Sequence, residues 1–585
     1  MCGIIGVVSE DRNIAAMLYN GLKRLEYRGY DSCGIAVMGK NLKKVEVKKG
    51  TGNIDDVDKK LGLSSMAGVI GIAHTRWATT GKVTKENAHP HFNSAKTIFA
   101  VHNGIIENYD KIKSFLVKKG FSFVSETDTE IIPHYFDYYL RQGFSVEETI
   151  KRFMNDVKGT FAILLMIKGH GRIYALKRDS PLVLGIGKDS FILASDIYAF
   201  SNSTNQAIFF DDDEFAVVSA KDYRFFSKDG ARIDKSISVV DWHEPEQEKA
   251  FEHFMLKEIK EQPSTSKRLI ASFSTTQKSR LEDFSAIIKS SRDIVFCASG
   301  TSYHAALLAS ILFNRLGYPT RAIIASEAES FISFNEETLL IAVSQSGETM
   351  DLVEVVKKAK NSGSKVLSIV NVPYSTIQRL SDMSIEILAG QEICVAATKT
   401  YTNQLILLAK LAEMLGFEIS LDKIPGKIQK TIEMNEGQIK KMAEKLYTKN
   451  DIFVLGKSFC YPVAREIALK LKEISYIHAE GMMAGELKHG TIALIEQGTP
   501  VISLIPDSSP DVISATHEVK ARGADAIIIS DTKQISPDFL IPQSSEPEFA
   551  IYSGIIGHLL SYYIALKRGL PIDKPRNLAK SVTVK

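Results

Sequence analysis

The chain has 585 residues, of which 44% are hydrophobic, 24% charged and 9% aromatic. These fractions are those of an ordinary globular protein, and they exclude disordered and fibrous classes. Lysine and arginine (72) nearly balance aspartate and glutamate (69), and the net charge of +3 excludes a surface built to neutralise nucleic-acid phosphates. At roughly 150 residues per domain, the length predicts two to four domains.

The cysteines and the apolar segments predict a cytoplasmic protein that does not span a membrane. The five cysteines are scattered, without CxxC spacing, so neither a disulfide framework nor a structural zinc site is expected, and a reducing cytoplasm fits. The N-terminus shows no targeting signal. The longest apolar stretch, residues 551–566, contains His558 and three tyrosines and is predicted to be a buried helix.

Residues 2–219 are predicted to form an α+β domain. Short β-branched runs, such as 68–73 and 160–167, are separated by Gly, Asn and Asp, and helical stretches such as 14–25 lie between them. This pattern is typical of antiparallel strands that are covered by a few helices.

A linker is predicted over residues 220–270, where the segment 242–249 is charged and poor in aliphatic residues. Beyond it, apolar runs alternate with helical stretches, which indicates a parallel sheet covered by helices. The pattern occurs twice, at an offset of about 160 residues, which favours domain duplication over a solenoid. We therefore predict α/β domains over 271–425 and 440–570, followed by a tail over 571–585.

Cys2 is a candidate nucleophile because it directly follows the initiator methionine and precedes Gly3. Removal of Met1 would leave a cysteine with its own α-amine, and an amine with a pKa of about 8 is a suitable base for a thiol. A cysteine that stands at this position by chance is the alternative.

Polar residues at predicted strand ends supply the other groups that such a nucleophile needs. Arg76 offers a guanidinium suited to bidentate binding of a carboxylate. The Asn103 side-chain amide and the Gly104 N–H can supply two donors to an oxyanion. Asp128 lies at a predicted helix start, where it could pair with a substrate ammonium, although a helix capping box is the alternative.

Four histidines, His74, His89, His91 and His102, cluster in the sequence. The pair around Pro90 could suggest a metal site, but no cysteine or suitably spaced carboxylate accompanies it. Hydrogen bonding at strand edges is therefore favoured, and we predict neither a metal nor a cofactor.

Two turns rich in Ser and Thr each follow a predicted strand of the first α/β domain and precede a helix. Hydroxyls and N–H groups at a helix N-terminus suit a phosphate, although such turns are also ordinary helix caps. Two turns at one edge of a parallel sheet favour a ligand site. The absence of GxxxxGK[ST] favours a sugar phosphate over a nucleotide. The polar residues of these turns are Thr301, Ser302, Ser344, Gln345, Ser346 and Thr349.

Three further candidates lie in the second α/β domain. Lys470 and Glu473 are three residues apart, so a helix places them on one face, where a surface ion pair is the alternative. Because Ile467 and Ile474 are interleaved with them, we expect partial burial and a raised pKa of Glu473, as a proton shuttle between C1 and C2 of a sugar requires. His489 suits the opening of a sugar ring.

Six motifs together resemble the glutaminase half of class II (N-terminal-nucleophile) amidotransferases: MCGIIGVV, EYRGYDS, HTRWAT, NAHPH, HNGIIENY and ETDTE. With the two sugar-isomerase-type domains, the resemblance covers essentially the whole chain and is to the glucosamine-6-phosphate synthase family. It implies a homodimeric aminotransferase that uses glutamine to aminate and isomerise fructose 6-phosphate. The products would be glucosamine 6-phosphate and glutamate, in the first step of amino-sugar (UDP-N-acetylglucosamine) biosynthesis.

In the glutaminase half, the resemblance implies that Cys2 attacks the glutamine amide and that Asn103 and Gly104 form the oxyanion hole. A tryptophan in the HTRWAT motif would lie where the family gates ammonia. Thr80 departs from the family, which commonly has histidine there, and this affects one contact of the glutamine loop. The implied glutamine-binding residues are Arg76, Trp77, Thr79 and Asp128.

In the isomerase half, the resemblance implies that the six polar residues of the two turns bind the phosphate and that Val395 lies near the sugar. Glu473 would transfer the proton, with Lys470 beside it in the catalytic set. His489 would open the ring from a neighbouring subunit. Lys580, which spacing alone would make a solvated charge, would form a Schiff base with the C2 ketone.

Two other functions are alternatives to this one. Amidophosphoribosyltransferase, another class II amidotransferase, would need a pyrophosphate-binding loop with adjacent acidic residues after a strand, and the sequence contains none. A sugar-phosphate-sensing regulator built on the duplicated domains would not need Cys2, Asn103 and Lys580 together, and no helix-turn-helix with a basic face is evident.

Overall fold

The computed structural model describes residues 2–78, 80–240, 251–507 and 511–582. Contacts divide the chain into two compact units, Met1–His243 with Ser581–Lys585, and Glu244–Lys580. The charged segment 242–249, on which the linker prediction depends, and Thr79 lie outside the described residues.

The described residues of the N-terminal unit form two antiparallel sheets and five α-helices. Its helices are α1 (Ala15–Leu25), α2 (Ile54–Leu61), α3 (Tyr109–Lys118), α4 (Ile131–Arg141) and α5 (Val146–Asp156). Its strands are β1 (Gly3–Ser9), β2 (Ser32–Met38), β3 (Val45–Thr51), β4 (Ile70–Arg76), β5 (His91–Phe92), β6 (Ile98–Ile106), β7 (Gly159–Ile167), β8 (Arg172–Arg178), β9 (Val183–Ile186), β10 (Ser190–Ala194), β11 (Gln206–Phe209), β12 (Glu214–Ser219), β13 (Tyr223–Ser227), β14 (Arg232–Ile233) and β15 (Ser238–Val239).

One sheet has the strand order β15-β11-β9-β10-β1-β4-β2-β3, and the other has the order β14-β13-β12-β8-β7-β6-β5. Residues alternate between two cores along β6: Phe99 and Val101 face a core shared with the first sheet, whereas Ile98 and Ala100 face one built with α4 and α5. This alternation is the period of two that a strand with both faces buried requires. Helix α1 packs on β1 and β4, which confirms the predicted α+β sandwich.

The C-terminal unit contains two parallel sheets and eleven α-helices among the described residues. Its strands are β16 (Asp293–Ala298), β17 (Thr320–Ile324), β18 (Thr338–Ser344), β19 (Lys365–Val370), β20 (Met383–Glu386), β21 (Asp451–Gly456), β22 (His478–Met483), β23 (Pro500–Leu504), β24 (Asp525–Ser530) and β25 (Phe539–Leu540). Its helices are α6 (Phe254–Ser272), α7 (Lys278–Ser290), α8 (Gly300–Arg315), α9 (Ala328–Phe331), α10 (Met350–Asn361), α11 (Thr376–Leu380), α12 (Lys399–Met414), α13 (Ile424–Leu446), α14 (Cys460–Ser475), α15 (Asp511–Lys520) and α16 (Glu546–Lys567).

The two parallel sheets have the same topology. Their strand orders are β17-β16-β18-β19-β20 and β22-β21-β23-β24-β25, so in each the chain leaves the first strand for one edge and returns to its other side for the third. Crevices form at the carboxyl ends of the strands where the order reverses in this way, and ligands bind there. The predicted pair of related α/β domains is confirmed.

The apolar stretch that was predicted to be a buried helix is α16. It is long and apolar enough to cross a membrane, but most of it is buried inside the unit. It packs on α13 and α14, and Gly557 allows a close approach, because a Cβ there would lie 2.4 Å from Ile467 Cγ1 of α14. The apolar composition of α16 therefore serves the protein core.

Replacement of Gly557 by alanine should lower the free energy of unfolding of the C-terminal unit by about 1–3 kcal/mol, because the added methyl group overpacks the contact between α14 and α16. Gly437→Ala in α13 is the matched control, since nothing lies within 4 Å of its Cβ position. That variant should be unchanged or more stable by up to about 1 kcal/mol. Denaturant unfolding followed by circular dichroism measures both, and equal stability of the two variants would contradict the close packing.

Candidate active sites

Cys2 lies against the end of β4 because β1 and β4 pair with Gly3 opposite Thr75. The Trp77 N–H donates to Cys2 Sγ at 3.4 Å, and the thiol donates to the Trp77 carbonyl at 3.6 Å. Burial raises the pKa of the Cys2 thiol, although the Trp77 N–H and the Arg76 guanidinium act in the opposite direction. The thiol is therefore neutral at rest and needs a base before it can attack.

Asn103 of β6 lies beside Cys2, and Gly104 follows it in the same strand. Asn103 Nδ2 donates to the Cys2 backbone carbonyl at 2.9 Å. Gly104 has a φ of +124°, and a Cβ there would lie 2.1 Å from the Thr160 carbonyl oxygen. Only glycine fits at this position, where the backbones of β6 and β7 come close. The Asn103 amide thus contacts Cys2, which is 101 residues away in the sequence.

Arg76 is buried at the end of β4. Its guanidinium donates to the backbone carbonyls of Thr80, Gly81 (3.4 Å) and Lys82 (3.3 Å). Burial lowers the pKa of Arg76. Thr80, where the family commonly has histidine, contacts the Arg76 guanidinium through its main-chain carbonyl, so this hydrogen bond does not depend on the side chain at position 80.

Asp128 is also buried, in a 3-10 turn over Asp128–Glu130. Its Oδ2 accepts the Ile106 N–H at 2.8 Å, and Thr127 at the N-terminus of the turn makes no capping hydrogen bond through its side chain. The capping alternative therefore does not describe this turn. Asp128 fixes the end of β6, three residues after Asn103.

The four histidines form a buried, neutral cluster. The rings of His74 and His89 stack with their centroids 3.9 Å apart, and His91 lies edge-on to His89. His74 Nε2 lies 3.0 Å from the His102 carbonyl oxygen. Burial lowers the pKa of all four, that of His74 to about 3. Among the described residues, no group of three or more His, Cys, Asp and Glu side chains is arranged to hold a metal ion.

The two Ser/Thr-rich turns lie side by side, because β16 and β18 are neighbouring parallel strands. In the second turn, Ser344 Oγ accepts the Gly347 N–H at 2.9 Å, and Ser346 Oγ accepts the Glu348 N–H at 3.2 Å. Gly347 has a φ of +65°, and a Cβ there would lie 2.0 Å from Ser375 Oγ. The loop is thus a tight turn that ends at the N-terminus of α10, as a phosphate site requires.

The first turn makes contacts that the sequence did not predict. Thr301 Oγ1 donates to Glu466 Oε1 of α14 at 3.1 Å, and Ser302 Oγ accepts from Gln404 Nε2 of α12 at 2.9 Å. Glu466 is fully buried. The Thr301 hydroxyl therefore links the first parallel sheet to α14, the helix that carries Lys470 and Glu473.

Lys470 is fully buried on α14, so the alternative of a surface ion pair is wrong. Its ammonium contacts Glu473 and lies 3.4 Å from Glu466 Oε1, and His304 Nδ1 lies 2.7 Å from the other oxygen of Glu466. Burial opposes the charge of Glu466, but Lys470 and His304 outweigh it and lower the pKa of Glu466 to about 2. Glu473, expected among apolar neighbours, instead has an ammonium against its carboxylate and a side chain that is 20% exposed.

Lys580 is buried and paired, contrary to the solvated charge that spacing alone predicts. Its side chain is 3% exposed and forms an ion pair with Glu392, whose side chain is fully buried. Glu392 also accepts the Thr398 N–H at 2.9 Å and the Thr400 hydroxyl at 2.7 Å. Val395 lies close to Glu392 in the sequence. Its N–H donates to the Asp573 carbonyl of the tail at 3.1 Å.

Sequence reasoning missed Glu392 and Glu466, although Glu466 precedes Lys470 by one helical turn and could have been found from that spacing. His489 is exposed in a 3-10 turn over Ala484–His489. Its side chain makes no hydrogen bond or ion pair with the part of the chain that the structure describes. One chain therefore brings together Lys470 with Glu473, and Lys580 with Glu392, but leaves His489 apart.

Comparison with known proteins gives the same division. The family model of a glutamine amidotransferase domain matches residues 74–202, and that of a SIS domain matches residues 287–414 and 445–566. A glutamine–fructose-6-phosphate aminotransferase (isomerizing) of Thermococcus kodakarensis is 43% identical over 611 residues, with both chains fully covered. That of Sulfolobus acidocaldarius is 40% identical over 594 residues, again with full coverage.

Among solved structures, the C-terminal domain of glucosamine-fructose-6-phosphate aminotransferase from Francisella tularensis is similar to the C-terminal part of this chain. The two are 30% identical, with a TM-score of 0.50, and the match covers 56% of this chain and 100% of that domain.

Proposed function

Because the chain belongs to the family of isomerizing glutamine–fructose-6-phosphate aminotransferases, we propose that Cys2 releases ammonia from glutamine and that the C-terminal unit uses it to aminate the sugar. The overall reaction converts fructose 6-phosphate and glutamine to glucosamine 6-phosphate and glutamate, the first step of amino-sugar biosynthesis. The observation that carries the assignment of Cys2 is the 2.9 Å hydrogen bond from Asn103 Nδ2 to the Cys2 backbone carbonyl, which places an amide donor beside this residue.

At the first site, the α-amine of Cys2 takes the thiol proton once Met1 has been removed. The thiolate attacks the amide carbon of glutamine, and Asn103 Nδ2 and the Gly104 N–H stabilise the oxyanion. Ammonia leaves, and water hydrolyses the thioester to glutamate. The raised pKa of the thiol supports a dedicated base, because few thiolates would form without one.

Arg76 and Asp128 bind the carboxylate and the ammonium of glutamine. Arg76 is buried at the end of β4, Asp128 is buried in the turn that contacts the end of β6, and the charges of both act on the Cys2 thiol. Their burial supports this role, since charge-assisted hydrogen bonds are strongest where water is excluded. Thr79 and Trp77 complete the glutamine site in our proposal, with Trp77 between the thiol and the path that ammonia takes.

At the second site, the hydroxyls and N–H groups of the two turns hold the phosphate of fructose 6-phosphate. Lys580 forms a Schiff base with the C2 ketone, and its burial against Glu392 supports a chemical role, because an unused lysine is rarely buried. Glu473 moves the proton between C1 and C2, with the Lys470 ammonium beside it. Val395 contacts the sugar. The proposed phosphate ligands are Thr301, Ser302, Ser344, Gln345, Ser346 and Thr349.

His489 opens the sugar ring from a neighbouring subunit, which makes the active enzyme a homodimer. The exposure of His489 and its lack of partners among the described residues of its own chain support this assignment. An imidazole can both donate and accept a proton, which is the chemistry that ring opening requires.

Cys2→Ala should abolish glutamine-dependent formation of glucosamine 6-phosphate, a loss of about three orders of magnitude or more, because no nucleophile remains for the amide. Conversion of fructose 6-phosphate to glucose 6-phosphate should stay within about threefold, since it uses only the second site. Cys33→Ala, at another buried free cysteine of the same unit, should retain both activities. Loss of both activities in Cys2→Ala would contradict the division into two sites.

Lys580→Ala should abolish synthesis while leaving some glutaminase activity, since the Schiff base cannot form. Borohydride reduction in the presence of fructose 6-phosphate, followed by peptide mass spectrometry, should find the adduct on Lys580 of the unaltered enzyme. Lys574→Ala, in the same tail, should still give the adduct. An adduct on a different lysine would show that the assignment is wrong.

Mixed dimers test whether His489 acts across subunits. Chains carrying His489→Ala or Lys580→Ala should each be inactive in synthesis when homodimeric. A dimer of one chain of each kind, purified through two different tags, should regain about half of the activity, because one of its two sites has both residues intact. An inactive mixed dimer would mean that His489 serves its own chain.

A further inference from the structure

A second buried carboxyl lies close to the pair formed by Glu392 and Lys580. Glu258, on α6, is only 2% exposed. It accepts through Oε1 the N–H groups of Ile393 (2.5 Å) and Cys394 (3.3 Å). Its Oε2 is buried and accepts no hydrogen bond from the described residues. A buried carboxylate normally satisfies both oxygens, so this half-satisfied group requires an explanation.

Three charged groups act on Glu258 from the elements packed around it. They are Glu392, in the segment before α12, Lys399, in the first turn of α12, and Lys580, in the tail. The neutral thiol of Cys394 also lies near the carboxyl. Burial, and next the negative charge of Glu392, raise the pKa of Glu258 to about 8, although the two lysines act in the opposite direction.

Glu392 behaves in the opposite way. Burial opposes its charge as well, but the Lys580 ammonium and the hydrogen bonds from Thr398 and Thr400 outweigh burial and lower its pKa. Two carboxyls in one low-dielectric site cannot both ionise cheaply, so one remains an acid and the other a carboxylate. The pKa of Glu258 is therefore raised while that of Glu392 is lowered, which makes Glu258 the member of the two that keeps its proton.

We propose that Glu258 and Glu392 act as one carboxyl pair, which holds one proton, on Glu258, while Lys580 is an ammonium, and takes up a second proton, on Glu392, when Lys580 becomes a free amine. This rests on the proposed function, in which Lys580 forms the Schiff base. Glu392 touches the reacting nitrogen and is the catalytic member. Glu258 is a positioning residue, because its two hydrogen bonds hold Ile393 and Cys394, which join Glu392 to Val395.

The proton count balances over the whole step. The Lys580 ammonium gives one proton to the Glu392 carboxylate, and the free amine attacks C2 to form an N–C bond. A second proton passes from nitrogen to the C2 oxygen, which gives a carbinolamine. Glu392 then returns its proton to that hydroxyl, the C–O bond breaks, and water leaves. The product is a protonated imine on Lys580 beside the Glu392 carboxylate, with no other reactant required.

Glu258 keeps this exchange possible by remaining neutral. With one negative charge in the pair, Lys580 can transfer its proton to Glu392. If Glu258 also ionises, a second negative charge beside Lys580 stabilises its ammonium and opposes the transfer. Because the neutral form of Glu258 is the active one, Schiff-base formation should be lost as the pH rises through the pKa of about 8.

Glu258→Gln tests this, because glutamine keeps an acceptor for the Ile393 and Cys394 N–H groups but cannot ionise. The rate at which cyanoborohydride traps fructose 6-phosphate on Lys580 is measured in the full-length enzyme between about pH 6.5 and 9.5. The unaltered enzyme should lose about tenfold for each pH unit above its midpoint. Glu258→Gln should keep its rate within about threefold below the midpoint and lack that fall.

Glu436→Gln is the matched control. Glu436, on α13, forms an ion pair with Lys260 of α6, the helix that carries Glu258, but it does not face Lys580. This variant should keep the alkaline fall. Glu258→Leu should lose trapping at every pH, because two N–H groups lose their acceptor. Glutaminase activity and circular dichroism check that each variant is folded. An alkaline fall in Glu258→Gln that matches the unaltered enzyme would overturn the proposal.

Infrared spectroscopy gives a readout that does not depend on a variant. The unaltered enzyme should show the C=O stretch of a protonated carboxyl at pH 7, and this band should disappear with a midpoint near the pKa of about 8. Absence of the band at pH 7 would also overturn the proposal.

If the adduct forms on a lysine other than Lys580, the Schiff-base assignment itself fails. If Lys580 is labelled and Glu258→Gln follows the unaltered profile, only the carboxyl pair fails.

Discussion

The ion pair between Lys580 and Glu392 is the interaction on which the second site depends. Removal of two charges from water costs several kcal/mol for each ion, and only close pairing with further hydrogen bonds offsets that cost. The Glu392 carboxylate has these further hydrogen bonds, because it accepts the Thr398 N–H and the Thr400 hydroxyl in addition to its contact with the Lys580 ammonium. The ion pair thus helps to fix a tail with little regular structure, and it holds the lysine at the site proposed for its chemistry.

The first site depends on strand register instead of on charge. A slip of one residue between β1 and β4 would move Cys2 away from Trp77 and would also turn each core residue of β1 to the opposite face. Because Ile4 and Val8 are fully buried, the register that buries them also sets the position of the thiol. Hydrophobic burial and catalytic geometry are therefore specified by the same pairing.

Local patterns in the sequence predicted the elements well and the partners of buried charges poorly. The apolar stretch that became α16 and the two parallel sheets were both predicted. Glu258, Glu392 and Glu466 were not, because periodicity describes which face of an element is buried but not which distant residue meets it. Lys580 could be assigned only from the resemblance, since its partner lies 188 residues away.

In the proposed mechanism, the Cys2 thiol and the Lys580 ammonium must each lose a proton before they can attack, and they start from opposite charge states. The Cys2 thiol is neutral, and burial raises its pKa, so it needs a base that removes a proton and leaves an anion. Lys580 begins as a cation in an ion pair, so removal of its proton destroys a charge that Glu392 stabilises. The α-amine of Cys2 suffices as the base for its own thiol. Lys580 needs a proton acceptor that is too weak a base to take its proton while the site is empty, but that can take it during the reaction. A carboxylate with a neutral carboxylic acid beside it meets both conditions, because the acid adds no negative charge that would hold the proton on nitrogen.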